Sequence, residues 1–242
     1  MILLAVVACG LGGILKGATG AGAPIIGVPV LAALVDVQFA VAVYIVPNLA
    51  TNVWQIWQFR SDLKDRAFLL LFAGMAIIGG LFGTYLLVGL PSDVLMLAMA
   101  LVVLFYVLFR IFNPQWTLSK PMALRLAGPA GFIGGVLQGS TGLSAPASLT
   151  FLNAVRLPRG QFIATISLFF CTLSLAQFAG LLSYGVLGTE KLVLGLIATL
   201  ATLAFMPVGD WLARQLSREV FDRLILGLLL VLALKTLADV FL

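Results

Sequence analysis

A thirteen-residue stretch rich in glycine and closed by proline, residues 12–24, interrupts an apolar run and returns 122 positions later at 134–146. Eight of the thirteen positions are identical between the copies: Gly12, Gly13, Leu15, Gly17, Thr19, Gly20, Ala23 and Pro24 against Gly134, Gly135, Leu137, Gly139, Thr141, Gly142, Ala145 and Pro146. Glycine and proline both disfavour a continuing helix. Backbone that leaves a helix inside an apolar region is tolerated only where protein or a polar cavity satisfies it. A break of this kind in each half of a chain points to an internal repeat with a polar site where the halves meet.

Composition decides the surroundings. The 242 residues are 62% hydrophobic and only 10% charged, against about 25% charged in soluble domains. The chain therefore reads as a polytopic membrane protein with the lipid bilayer as its main partner. The net charge of +5 lies in short loops between apolar runs, so it is no nucleic-acid footprint. Cys9 and Cys171 lack metal-ligand spacing and read as small core residues, and there is no histidine. No cofactor, metal or enzyme activity is expected. Cys9 lies in a faint lipoprotein-like context, but no positive charge precedes it. The segment is read as retained.

Ten apolar segments can be drawn: 2–15, 24–35, 38–59, 67–88 and 93–112, then 122–138, 146–155, 161–184, 191–208 and 219–241. This predicts repeat one at 1–112, a polar linker at 113–121 and repeat two at 122–242. Gln38 and Phe39 match Gln161 and Phe162 at offset 123, and residues 83–86 match 209–212 at offset 126. Crossing about 30 Å of hydrocarbon takes about 20 residues. The last three segments of each half approach that length, and the first two do not. Those pairs are expected to be short half-depth helices meeting at the break.

Loop charge chooses the topology. If each short pair is a hairpin returning to its starting side, 11 basic residues (Arg60, Lys64, Arg66, Arg110, Lys120, Arg125, Arg156, Arg159, Arg214, Arg218 and Arg223) face one side and Lys191 alone the other. A single broken crossing gives 7 against 5 instead. The positive-inside bias selects the hairpin. The fold class expected is thus all-α and polytopic, with two inverted repeats, each a re-entrant pair followed by three transmembrane helices. Both termini would lie outside.

The second helix of each pair restarts near Pro24 or Pro146, and proline suits a first turn. Ser144 is a candidate cap. Helix N-termini carry roughly +0.5 charge and bind anions, so two of them with Lys16 would sum to about +2 and suit a small anion. Gly17, Gly20, Gly22, Gly139 and Gly142 would allow close approach of a ligand or of an opposing backbone. Lys16, matched by neutral Gln138, is read either as the anion's ligand or as a lysine that snorkels or bonds carbonyls at its helix end. Thr19, Ser140 and Thr141 supply hydroxyls, for the substrate or for the backbone of the break. Asn48 and Asn52 share a helical face and either line the pathway or join helices. Trp54 and Trp57 read as interfacial anchors. No acidic residue falls mid-span, and Asp36 is the best remaining coupling candidate. Expelling one negative charge gains about 2.3 kcal/mol per 100 mV, so no coupling ion is required.

The paired Gly-Gly-x-x-x-Gly-x-Thr-Gly-x-x-x-Pro resembles the TauE/SafE family of sulfite-exporter-like proteins, over the whole chain. The resemblance implies a bacterial-type inner-membrane permease for sulfite, sulfoacetate or other sulfur-containing anions. It carries family motif positions onto Gly17, Thr19, Gly20, Pro24, Gly139, Thr141, Gly142 and Pro146, and assigns Lys16 no role. The expected function is a secondary transporter of small anions. An anion channel using the same helix ends is the alternative, and a homodimer is compatible with the sequence.

Overall fold

The computed structural model describes residues 2–19, 23–113, 116–144 and 147–215, with positions 227, 230, 231, 233, 234 and 238 beyond them. Among the described residues it is all-helical, with α1 Ile2–Thr19, α2 Ala23–Leu34, α3 Val37–Gln58, α4 Arg66–Gly89, α5 Ser92–Phe112, α6 Lys120–Thr141, α7 Ser148–Val155, α8 Arg159–Ser183 and α9 Thr189–Gln215. Five of these (α3, α4, α5, α8 and most of α9) are long and apolar enough to cross a membrane. The expected tenth segment lies outside the described residues apart from those six positions.

The chain terminates its helices with ordinary chemistry. Asp36 and Asp65 cap α3 and α4 by accepting from the amides of Phe39 (2.7 Å) and Phe68 (3.2 Å). Gly142 closes α6 in the left-handed region, φ 74°, where glycine carries no side-chain penalty.

Helix packing repeats at atomic detail. A Cβ on Gly13 or Gly17 of α1 would overlap the carbonyls of Thr202 or Met206 on α9. A Cβ on Gly135 or Gly139 of α6 would likewise meet the carbonyls of Ala76 or Gly80 on α4. Offsets of 122 for the first helix and 126 for the fourth convert one set into the other. Gly83 against Val136 and Gly209 against Ile14 obey the same rule. Close backbone approach through small residues is how apolar helices associate where hydrophobic burial cannot drive them together.

These contacts correct the expected segment lengths. The first helix of each half is not half-depth: α1 has 18 residues and α6 has 22, about 27 and 33 Å. Gly12, Gly13 and Gly17 lie inside α1, and Gly134, Gly135 and Gly139 inside α6. The glycines taken as the break are in large part the seats of helix packing. The second helices remain short, 12 residues in α2 and 8 in α7. Each sits beside the seventh residue before the end of its partner: the Ala23 carbonyl beside Gly12, and Ser148 beside Gly134. The α2 and α7 N-termini thus lie partway along α1 and α6, which reach past them.

Chain direction follows from the pairings. Between α3 and α8, Asn48 bonds Ser174 and Gln55 bonds Ser167, so these helices run antiparallel. Between α4 and α8, Thr172 bonds the Ala73 carbonyl and Gly180 abuts Thr84, so these two run parallel. The turn at 59–62 abuts Gly160, Arg159 pairs with Asp210, and the amide of Leu118 bonds the Ala154 carbonyl. The loops carrying Arg60, Lys64, Arg66, Arg156 and Arg159 therefore share one end of the bundle, called here the basic face. Five buried phenyl rings (Phe68, Phe72, Phe151, Phe169 and Phe170) fill the space between α4, α7 and α8, with successive centroids 4.6–6.0 Å apart.

Candidate functional site

The two halves of the chain meet at a pair of small adjoining cavities. One is lined by Pro24, Val28, Val41, Tyr44, Ile45, Asn48, Gln138, Gly142 and Gln177. The other is lined by Pro24, Ile25, Gln138, Gly142, Leu143, Ser144, Leu149 and Phe170. Pro24 from the first half of the chain and Gln138 and Gly142 from the second border both. Gly142 packs directly on Val28 and Val41, so the two interruptions abut.

Behind this junction lies a hydrogen-bonded chain of buried polar groups. Lys16 is wholly buried, and its Nζ donates to Asn52 Oδ1 at 2.6 Å. Asn52 Nδ2 donates in turn to the Asn48 carbonyl (2.6 Å) and to Asn48 Oδ1 (2.9 Å). Asn48 Nδ2 crosses to Ser174 Oγ on α8 at 3.0 Å. The Phe170 ring, which lines the second cavity, has its centroid 5.8 Å from the ammonium. No carboxylate among the described residues lies within ion-pair distance of Lys16. A buried ammonium with only neutral partners is costly. Its place in the last turn of α1 offsets part of that cost, because the helix dipole there favours a cation.

Several expected roles change. Lys16 and Gln138 are helical, one turn before the ends of α1 and α6, rather than in an unwound break. The hydroxyls of Thr19, Ser140 and Thr141 donate to the carbonyls of Leu15, Val136 and Leu137, so they satisfy backbone four residues back. Gly17 and Gly139 seat neighbouring helices, as above. Ser144 does not cap α7 with its side chain. Its carbonyl accepts from the amides of Ala147 (3.0 Å) and Ser148 (2.8 Å), and its hydroxyl pairs with Ser148 Oγ at 2.8 Å. Helix α7 accordingly begins at Ser148, two residues after the proline. Gly20, Gly22 and Pro146 lie outside the described residues.

The charge sum changes with them. The C-terminal ends of α1 and α6 bring about −0.5 each to the same region, which offsets the N-termini of α2 and α7. Any full positive charge at the site is that of Lys16. Asp36 is the cap at the far end of α3, sixteen positions from Asn52, and is no part of this cluster. Trp54 and Trp57 stand exposed toward the basic end of α3.

Sequence reasoning missed Gln55, Ser167 and Phe170. Asn48, Asn52 and Gln55 follow i, i+4, i+7, so the stripe was visible in the spacing. The tryptophans on either side made that turn read as an anchor.

Among the described residues, an all-helical bundle with five apolar helices long enough to span defines a polytopic membrane protein. The family model of the sulfite exporter TauE/SafE matches residues 4–236. The chain belongs to the TauE/SafE family of membrane transporters. No curated relative and no solved structure matches it.

Proposed function

We propose that this chain is a secondary carrier that moves a small sulfur oxyanion, sulfite or an organosulfonate such as sulfoacetate, out across the inner membrane. The observation that carries the reading is the junction itself. Pro24, Gln138 and Gly142, from opposite repeats, border both cavities, with the buried Lys16–Asn52 pair behind them. Gln138 and Asn48 supply neutral amides around an oxyanion, and Lys16 supplies the opposite charge in a low dielectric. Burial of Lys16 favours a carrier over a permanently open channel, because an aqueous pore past this cation would expose it.

The antiparallel α3–α8 pairing and the matched glycine contacts support two inverted repeats. With the basic face in the cytosol, both termini are outside. The apolar residues exposed along α5, such as Leu101, Phe105 and Leu108, face lipid or a second copy of the chain.

The test is a set of proteoliposomes screened against sulfite, sulfate, thiosulfate, sulfoacetate, taurine and simple carboxylates. Saturable flux of one sulfur anion supports the reading. Flux that rises linearly with concentration favours the channel, and transport of carboxylates alone removes the sulfur assignment.

A further inference from the structure

The polar groups around the two cavities differ in how far their hydrogen bonds are already used. Asn52 directs both amide protons to Asn48, and Asn48 donates onward to Ser174. Of the three ammonium protons of Lys16, only the one on Asn52 is matched. Gln138 borders both cavities at 4% exposure, and its side-chain amide makes no hydrogen bond to the described residues.

Gln177 is the informative residue. It is 1% exposed and lines the first cavity, with Nε2 donating to the Gly139 carbonyl at 3.1 Å. A backbone carbonyl only accepts, so the atom resting on it must be the nitrogen. The position of the side-chain oxygen is thereby fixed, and no described residue donates to it.

The junction therefore offers unmatched donors on Lys16 and Gln138 and one fixed, unmatched acceptor, Gln177 Oε1. A fully ionised oxyanion can use only the donors. It would be repelled by that carbonyl oxygen, and a buried acceptor left unsatisfied costs about 1–3 kcal/mol. Charge leads to the same ligand. None of the described residues lining either cavity is acidic or basic, so a second negative charge would be buried without a partner.

We propose that the junction selects an oxyanion that carries its own proton: hydrogen sulfite, in preference to the sulfite dianion and to sulfate. In its S–OH form the ligand hydroxyl donates to Gln177 Oε1, while its bare oxygens accept from Gln138 Nε2 and the Lys16 ammonium. One ligand charge then meets one site charge. A buried group that hydrogen-bonds a ligand hydroxyl rejects the analogue lacking it, because the group is then left unpaired. This inference rests on reading the junction as the site of a sulfur oxyanion.

The experiment follows the ligand-induced thermal shift of the detergent-purified full chain. Hydrogen sulfite loses its proton close to neutral pH, so above that point the total sulfite giving half the shift should rise about tenfold per pH unit. The titratable groups around Gln177 are Tyr44 in the same cavity, Lys16 behind the Phe170 ring and Cys171 six positions earlier on α8. Methanesulfonate, a monoanion throughout the range, reports on those groups. It should bind at least tenfold more weakly than hydrogen sulfite, with a midpoint that moves less than threefold with pH. Gln177→Met, which removes the acceptor, should weaken hydrogen sulfite at least tenfold and methanesulfonate less than threefold. Gln177→Lys keeps a donor for the Gly139 carbonyl and adds a charge, and it should bind sulfate at least tenfold more tightly than the parent does. Sulfite and methanesulfonate weakening together as pH rises would assign the effect to the protein's own groups and overturn the proposal. Equal loss of both ligands in Gln177→Met would reduce Gln177 to a tie onto α6. No sulfite-induced shift at any pH would remove the sulfur-anion reading itself, and this inference with it.

Discussion

Replacing Lys16 by glutamine separates binding from folding, because the two should move in opposite directions. A unit charge about 4 Å from an anion is worth about 4 kcal/mol at an effective dielectric constant of 20. The glutamine amide recovers about 1 kcal/mol through an ordinary hydrogen bond. The net loss of about 3 kcal/mol predicts affinity roughly a hundredfold weaker. Glutamine should fit, since Gln138 occupies the matching position on α6 and is itself buried. Meanwhile, a lysine within a membrane helix costs about 2.5–3.5 kcal/mol on insertion scales. Removing it should therefore leave the melting temperature unchanged or raise it. The assay pairs sulfite-dependent thermal shift with initial flux in proteoliposomes. Unchanged sulfite affinity with a lowered melting temperature would refute the reasoning and make Lys16 a structural tie to Asn52.

Other outcomes follow from the same geometry. Gly135→Leu and Gly13→Leu should each destabilise the purified protein by about 3 kcal/mol or more through overpacking, whereas Gly74→Leu, with nothing within 4 Å of its Cβ, should melt within a few degrees of the parent. Tags on both termini should be protease-accessible in intact cells, and a protected terminus would end the inverted topology. Sulfite efflux should accelerate when the interior is made negative, by up to the equivalent of about 2.3 kcal/mol per 100 mV for each charge moved. Indifference to voltage would mean electroneutral exchange or coupling.

Much of the architecture was legible because repeats leave identical residues at fixed offsets, and the glycines at 13, 17, 135 and 139 occupy matched seats against α9 and α4. Their meaning was harder to read. Glycine disfavours an isolated helix, yet here it lets two backbones approach, and neighbouring carbonyls define the fit. The sequence contains both effects, and only the packing partner decides between them. This is why α1 and α6 run longer than expected. Ser144 was read as a side-chain cap, but its carbonyl took the α7 amides first. The N-terminal ends of α2 and α7 are legible in the glycine-proline pattern, whereas the opposing C-terminal ends of α1 and α6, which offset their dipoles, follow only from the true lengths of those helices. Gln55 escaped notice because exposed Trp54 and Trp57 dominate its turn.

Anomalous scattering from crystals soaked in selenite, a heavier relative of sulfite, would place the anion directly. A peak bordered by Pro24, Gln138 and Gly142, within reach of the Lys16 ammonium, is the predicted result. A peak confined to the arginines of the basic face, with nothing between the two repeats, would contradict the account.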